Sequence, residues 1–249
     1  MKPRIFILVV LAALTAAVIG FKPAVLALLQ KEIHRQIPGS KVAVGGCEIS
    51  LHQTSCWDVL IRKPDVFDFK AREINLQYTL LSLLNQDVPA IAINGASIVY
   101  QKLNVENIQA RGWLKARIYS IHVTLSDLPL TDVVRAFKLE KKLDWQGSLS
   151  GEVNLSGEGQ NIRILNGNFT AGDRGGMMVI KDTGFLENMA RNSKLPVNIV
   201  VDSFKNYHYD KGMVKASLEP GNILVLDAAL KGKAGKRNLK INLHNFNLK

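Results

Sequence analysis

Apolar and polar residues alternate along most of the chain from Lys41 onward, with the period of two that is typical of strands with one buried and one solvated face. The alternation is clearest in SLSGEVNLSG (148–157), LPVNIVVDSF (195–204), MVKASLE (213–219) and NLKINLHNF (238–246). The apolar positions of these four runs are predicted to share one face of a sheet: Leu149, Val153, Leu155, Val197, Ile199, Val201, Val214, Ala216, Leu218, Leu239, Ile241 and Leu243.

Turn residues separate such runs, and Asn-Gly between strands predicts tight hairpins. The turn candidates are Asn94-Gly95, Asn166-Gly167, Gly172-Asp173, Gly175-Gly176 and Pro220-Gly221-Asn222. No Gly/Ser-rich or Pro-rich linker divides the chain into two separate folds. We therefore predict a mainly β fold, a meander of about 15 antiparallel strands that would give roughly 70 Å of sheet.

Three segments interrupt the alternation with apolar residues at helical spacing. They are PAVLALLQKEIHRQI (23–37), LTDVVRAFKLEKK (130–142) and GFLENMARN (184–192). Short amphipathic helices of this kind more often cover a sheet than bind a ligand. We expect them to act as lids or end caps.

The N-terminal segment predicts an export signal. Lys2 and Arg4 precede an uncharged run over residues 5–21, which as a helix would be about 26 Å long, the lower limit for crossing a hydrocarbon core. The basic flank predicts a cytoplasmic start, with the rest of the chain outside the cytoplasm. A cleaved signal and an uncleaved anchor both fit. We favour an anchor over residues 1–22, because the apolar run continues past the small residues of LTAAVIG.

The two cysteines flank a predicted turn at Leu51-His52, where a hairpin would place Cys47 directly opposite Cys56. Facing residues in an antiparallel pair are close enough for a disulfide. In the cytosol two reduced thiols would be the better interpretation, but outside it a structural disulfide is favoured. The Cys-x-x-Cys spacing of redox motifs is absent.

The chain is basic, with a formal net charge of +11, of which Lys2, Arg4 and Lys22 carry three, leaving +8 in the predicted outer portion. The basic residues are scattered and form no nucleic-acid-binding motif, so we predict no nucleic-acid partner. Anionic lipid head groups are the favoured counter-charge outside the cytoplasm. Ordinary solubility charge explains the excess equally well.

The sequence contains no recognisable catalytic constellation, so we predict no enzymatic activity and no cofactor. GDRGG (172–176) lacks the Lys-Ser/Thr of a phosphate-binding loop, and Leu149 occupies the position of the serine that a nucleophile elbow needs in GSLSG. The histidines are dispersed without metal-ligand spacing, so no metal site is predicted: His34, His52, His122, His208 and His244.

Several segments resemble a known family. LPLTDVVRAFKLEKKLDWQGSLSGEVNLSG, ILNGNFTAGDRGGMMVI and SFKNYHYDKGMVKASLEPGNILVLDAALKGKAG resemble, in this order, the C-terminal domain of the YdbH family of AsmA-like bacterial envelope proteins. FKAREINLQYTLLSLLNQDVPAIAINGASIVY, after the predicted anchor, is similar to the start of AsmA and TamB relatives. The matching features are patterns of apolar residues and glycines. On the basis of the segments that match, we divide the outer portion (23–249) into the helix 23–37, N-terminal strands 41–126 and a YdbH-like part 127–249.

The resemblance implies a single-pass inner-membrane protein with its bulk in the periplasm. It implies that the long sheet curls into a groove for phospholipid acyl chains and serves lipid passage to the outer membrane, with the twelve apolar positions named above as groove candidates. The predicted sheet is short for this task, so the chain is expected to act as an assembly factor, to join another envelope protein that completes the bridge, or to act locally at the inner membrane. The alternative is a structural or adaptor protein of envelope biogenesis, whose apolar stripe is a closed core beneath its helices.

Membrane topology is the first testable prediction. With one apolar run after Lys2 and Arg4, residues beyond about 22 should lie in the periplasm. A periplasm-dependent reporter enzyme fused after Lys249 should be active, and a cytoplasm-dependent reporter at the same position should be inactive. The reverse pattern would contradict the predicted topology, and a mature protein lacking residues 1–22 would support the cleaved signal.

Overall fold

The computed structural model of the chain describes residues 38–50, 52–79, 82, 87–100, 103–115, 118–158, 161–194 and 196–243. The predicted anchor (1–22) and the predicted helix (23–37) lie outside these residues. No helix in the described part of the chain is both long and apolar enough to cross a membrane.

The described residues form fourteen strands and three helices. The first six strands are β1 (Lys41–Ile49), β2 (Gln53–Lys63), β3 (Phe67–Gln77), β4 (Val88–Tyr100), β5 (Leu103–Lys115) and β6 (Ile118–Pro129). Helix α1 (Leu130–Ala136) is followed by β7 (Leu143–Gln146), β8 (Ser148–Glu158), β9 (Asn161–Ala171) and β10 (Gly176–Ile180). Then come α2 (Thr183–Ser193), α3 (Val197–Phe204), β11 (Tyr207–Tyr209), β12 (Lys211–Glu219), β13 (Ile223–Gly232) and β14 (Gly235–Leu243).

Eleven strands form one antiparallel sheet in the order β1-β2-β3-β4-β5-β6-β8-β9-β12-β13-β14. The chain leaves this sheet twice, and β7, β10 and β11 form a second sheet in the order β11-β10-β7. The predicted mainly β fold with antiparallel strands and a few short helices is confirmed. The two excursions place the helices and the small sheet within the C-terminal half of the chain.

One row of directly paired apolar or glycine residues crosses all eleven strands. Partners in an antiparallel ladder have side chains on the same face, and strands about 4.8 Å apart make this row about 48 Å long. We call this side of the sheet the inner face. The row is Cys47, Cys56, Ile74, Ile93, Ala110, Val123, Val153, Gly167, Ala216, Leu226 and Ile241.

The strands of the N-terminal half do not alternate strictly. Ala71 and Ile74 are three residues apart on β3, yet both belong to the same inner-face cluster. Gly95, with φ +59°, lies at a shift of register in β4 between Ile93 and Ala96. Such bulges change the direction of the following side chains. Positive φ angles recur in neighbouring strands at Asp58, Asn107 and Asp127.

Two of the predicted hairpin turns are wrong. Asn94-Gly95 lies at the bulge inside β4, and Asn166-Gly167 lies inside β9. A Cβ on Gly167 would approach the Phe169 ring to 2.8 Å, so glycine here makes room for a side chain. Pro220–Asn222 does join the paired strands β12 and β13, as predicted. The glycines at 172–176 form a turn, but it connects β9 to β10 in the other sheet.

The strand predicted over 197–201 is also wrong, because Val197, Ile199 and Val201 belong to helix α3. Val200 and Phe204, four residues apart on one side of the helix, are buried, whereas Val197 is 42% and Ile199 50% exposed. A short apolar run satisfies both the strand and the helix period. Pro196 at the N-cap favours the helix, since its fixed φ suits a helix start. Helices were correctly predicted at 130–142, where α1 is shorter, and at 184–192.

The second sheet and the helices cover the C-terminal half of the inner face. Leu130 and Val134 of α1, Leu186 of α2, and Val200 and Phe204 of α3 join one buried cluster with the large sheet. Sheet residues in this cluster include Leu149, Leu165, Phe169, Val214, Ala216, Leu224, Ala228, Leu230 and Leu239. This part of the apolar face is therefore a closed core.

The predicted disulfide is confirmed. Cys47 pairs with Cys56, Glu48 with Ser55 and Ile49 with Thr54, and a disulfide joins the two cysteines, whose Cα atoms are 4.1 Å apart. The bond attaches the edge strand β1 to β2. The Ser50 hydroxyl accepts a hydrogen bond from the Gln53 amide at 3.1 Å and helps to close the turn.

We expect the unreduced protein to have a mass about 2 Da below that of the reduced form, because disulfide formation removes two thiol hydrogens. Replacing both cysteines with serine should lower the free energy of unfolding by roughly 2–3 kcal/mol, since the crosslink restricts the unfolded chain. Intact mass spectrometry and urea unfolding measure these quantities. Alkylation of both thiols without prior reduction would contradict the assignment.

Candidate functional site

The N-terminal half of the inner face carries a cluster built from strand residues alone. Its buried members are Cys47, Cys56, Val59, Ala71 and Ala96, and its half-buried members are Val44, Ile49, Ile61, Phe69, Ile74, Ile93 and Ile108. All of them lie on β1–β5. We call this set the N-terminal apolar face. Within the described part of the chain, no helix and no strand of the small sheet contributes a side chain to it.

Small and large side chains have different exposures on this face. Ala71 is 3% and Ala96 0% exposed, whereas the neighbouring Phe69 and Ile74 remain half-buried. The small residues thus form the floor, and the larger ones project from it as apolar ridges. A contiguous, partly exposed apolar surface of this kind is found at ligand grooves and interaction sites.

The structure divides the twelve groove candidates of the sequence among three environments. Leu149, Val214, Ala216 and Leu239 are buried in the C-terminal core. Two candidates, Val197 and Ile199, are exposed on α3. The remaining candidates are half-buried against the C-terminal core: Val153, Leu155, Val201, Leu218, Ile241 and Leu243.

Three of the candidates line a cleft of about 180 Å³ at the edge strand β14. Leu239, Ile241 and Leu243 form one wall, and Leu139, Leu143 and Ile180 contribute apolar surface from the covering elements. The polar lining residues are Lys142, Asp182 and Asn242. The Lys142 carbonyl accepts hydrogen bonds from the Lys181 and Asp182 amides at 2.8 and 3.2 Å, which joins the two covering segments beside the cleft.

Buried hydrogen bonds hold the cover on the C-terminal half. Trp145 Nε1 donates to the Tyr209 hydroxyl at 3.2 Å, and Tyr209 donates to the Gln146 carbonyl at 2.8 Å. The Tyr207 hydroxyl reaches the Leu230 carbonyl of β13 at 3.1 Å. Burial raises the pKa of both tyrosines, so they remain neutral donors at ordinary pH. The two bonds of Tyr209 join β11 to β7 within the small sheet, and the bond of Tyr207 joins the small sheet to the large one.

The polar groups on the outer face form small, exposed arrangements. His122 Nδ1 lies 2.8 Å from the Asn154 side-chain oxygen, and its Nε2 lies 3.4 Å from Glu152. Hydrogen bonds from Asn94, at 3.0 Å, and then from Asn75 lower the pKa of Glu73. Within the described ranges, no three His, Cys, Asp or Glu residues are grouped to hold a metal ion. His34 and His244 lie outside those ranges.

The residues of the N-terminal apolar face were not among the candidates predicted from the sequence. Alternation in FDFKAREINLQ (67–77) could have identified Phe69 and Ala71, but it fails at Arg72–Glu73, after which Ile74 faces inward. The bulge at Gly95 disrupts β4 in the same way. The candidates therefore came from the strictly alternating C-terminal strands, which are the covered ones.

Comparisons with protein-family models, curated proteins and solved structures give no match for this chain. The fold assignment rests on the structure itself, and the resemblance to the YdbH family remains a prediction from the sequence.

A charge introduced on the covered face should unfold the protein. Val214 is 2% exposed, so Val214→Asp buries an unpaired carboxylate and should lower the free energy of unfolding by roughly 3 kcal/mol or more. Met213, its neighbour on β12, points to the outer face and is 50% exposed, so Met213→Asp is the matched control. Urea unfolding followed by circular dichroism compares the two. Equal stability of both variants would contradict the closed core.

Proposed function

We propose that this protein is anchored in the bacterial inner membrane and binds phospholipid acyl chains on its N-terminal apolar face in the periplasm. In this role it assists the movement of phospholipid between the inner and outer membranes. The observation that supports the proposal most is the apolar row across eleven strands, whose first part lies on the N-terminal apolar face. The anchor follows from the sequence of residues 1–22.

The dimensions of this face suit an acyl chain. From β1 to β5 the row crosses four strand spacings, or about 19 Å. One leaflet contributes about 15 Å to a hydrocarbon core that is roughly 30 Å thick. An acyl chain lying along the row would contact the half-buried Ile74 and Ile93. We propose in addition that the large sheet curls around the bound acyl chain.

An acyl chain also suits the chemistry of the face. Its half-buried side chains are Val, Ile and Phe, which provide contact surface without directional polar groups. Such a surface favours a flexible apolar ligand through the hydrophobic effect. The polar head group would remain in water at the rim, where the net charge of the outer portion favours anionic lipids. No cofactor and no catalytic step enter this proposal.

The sheet alone is short for a bridge between two membranes. Its eleven strands span about 48 Å across the ladder. We propose that a further envelope protein completes the path. The chain would then take up lipid at the inner membrane and pass it to this partner.

A structural or adaptor role in envelope biogenesis is the second candidate function. It is favoured by the C-terminal half, where Val214, Ala216 and Leu149 are buried beneath helices and the small sheet. In this role the apolar row would serve as core along its whole length. The N-terminal apolar face would then contact protein.

Photocrosslinking at Phe69 separates the two functions. Replacing Phe69 with p-benzoylphenylalanine preserves an aromatic side chain on the N-terminal apolar face, and illumination of cells should give phospholipid adducts. Lys70, the next residue of β3, is exposed on the opposite side and provides the matched control, which should give none. Mass spectrometry of the purified protein identifies the adducts. Adducts at Phe69 only with protein segments would support the adaptor role and contradict the lipid-binding role.

A further inference from the structure

Three lysines face one another on adjacent strands of the outer face. Lys211 of β12 pairs directly with Lys231 of β13, and Lys231 pairs with Lys236 of β14. Facing residues of this kind have Cα atoms about 4.5–5.5 Å apart, with side chains on the same face. All three are exposed, and Lys233 adds a fourth positive charge in the turn between β13 and β14. We call the first three residues the lysine row.

Within the described ranges, no carboxylate forms an ion pair with the lysine row. None of the ion pairs in the described part of the chain includes Lys211, Lys231 or Lys236. Asp210 precedes Lys211, but its described contact with the row is a backbone hydrogen bond to Lys231. Like charges placed directly opposite one another destabilise a sheet. The isolated protein therefore carries a repulsion that a bound anion would relieve.

The next row of charges on the same strands is different. Lys215 faces Asp227, and Asp227 faces Lys240, so a carboxylate lies between the two lysines. Lys240 also lies 3.7 Å from Glu219. Unlike the lysine row, this arrangement is balanced within the protein. On β12, β13 and β14, the lysines that face no carboxylate thus lie at one end of the strands.

The lysine row lies at the end of the sheet where the chain enters β1. Strand direction alternates across the antiparallel sheet, so β1, β12 and β14 run in the same direction. Their first residues, Lys41, Lys211 and Gly235, therefore lie at one end of the sheet. The segment that contains the predicted anchor connects to that end through residues 38–40.

An exposed apolar residue lies beside the lysine row. Met213 is 50% exposed, two residues after Lys211 on the same face of β12. Lysines next to an exposed apolar side chain suit the interface of an anionic bilayer, where the cations meet phosphates and the apolar group enters the head-group layer.

We propose that the lysine row and Met213 form a contact surface for anionic phospholipid head groups at the surface of the inner membrane. The contact would hold the first residues of β12 and β14 toward the bilayer, at the membrane in which the predicted anchor lies. This orientation rests on the proposed function, whereas the head-group contact rests on the lysine row.

The test uses the full chain with p-benzoylphenylalanine in place of Met213, reconstituted in vesicles of phosphatidylcholine with or without phosphatidylglycerol. We expect lipid adducts at Met213 in the anionic vesicles. Replacing the lysine row by glutamine (Lys211→Gln, Lys231→Gln and Lys236→Gln) should reduce them about fivefold or more, as should high salt. The matched control, Lys70→Gln, Lys141→Gln and Lys142→Gln, removes the same charge elsewhere and should leave the adducts unchanged.

Unfolding in urea shows whether loss of adducts is specific. Because the glutamines remove a repulsion, the variant of the lysine row should be at least as stable as the parent. A less stable variant, equal adducts in the two kinds of vesicle, or adducts with protein alone would overturn the proposal. Lipid adducts at Met213 without any at Phe69 would support the head-group contact and contradict the lipid-binding role of the N-terminal apolar face.

Discussion

The architecture depends on keeping one face of a large antiparallel sheet apolar in register across eleven strands. Because directly opposite residues share a face, a shift of one residue in any strand would turn a polar side chain inward. The row from Cys47 to Ile241 meets this requirement with aliphatic residues, alanine, one glycine and the disulfide pair. Small members such as Gly167 and Ala216 leave space beside Val153, Phe169 and Leu226. The disulfide fixes the register at the edge, where pairing comes from one side only.

The two halves of this face have different surroundings, and the proposed lipid binding depends on that difference. In the C-terminal half, the small sheet and three helices bury the face, and a hydrogen bond from Tyr207 to the Leu230 carbonyl joins the small sheet to β13. In the N-terminal half, the described cluster contains only strand residues, and its larger side chains are half-buried. The covered half supports an N-terminal half whose larger apolar side chains are only partly buried. The lipid binding that we propose is therefore placed on β1–β5, and the remainder has the structural role.

The sequence was most informative where a regular spacing of residues determines the structure. The cysteine pair followed from its equal distances to the turn, and β8, β12 and β14 followed from strict alternation. Prediction failed where two periods fit the same residues, as in α3, and where asparagine and glycine serve a bulge or a close contact, as at Gly95 and Gly167. Alternation identifies an apolar face but not what covers it. For this reason the sequence predicted a site on the C-terminal strands, whereas the structure favours residues such as Phe69 and Ile74. Only the pairing of strands brings these residues together.

Native mass spectrometry of the full chain, released from detergent, tests the lipid-binding claim most directly. The account predicts that the protein retains phospholipid, and that Ile74→Asn together with Ile93→Asn removes it, because both residues are half-buried members of the row on the N-terminal apolar face. Lys70→Asn with Lys215→Asn, on the outer face, should leave the bound lipid in place. A parent protein without bound phospholipid, or equal retention in both double variants, would contradict the account.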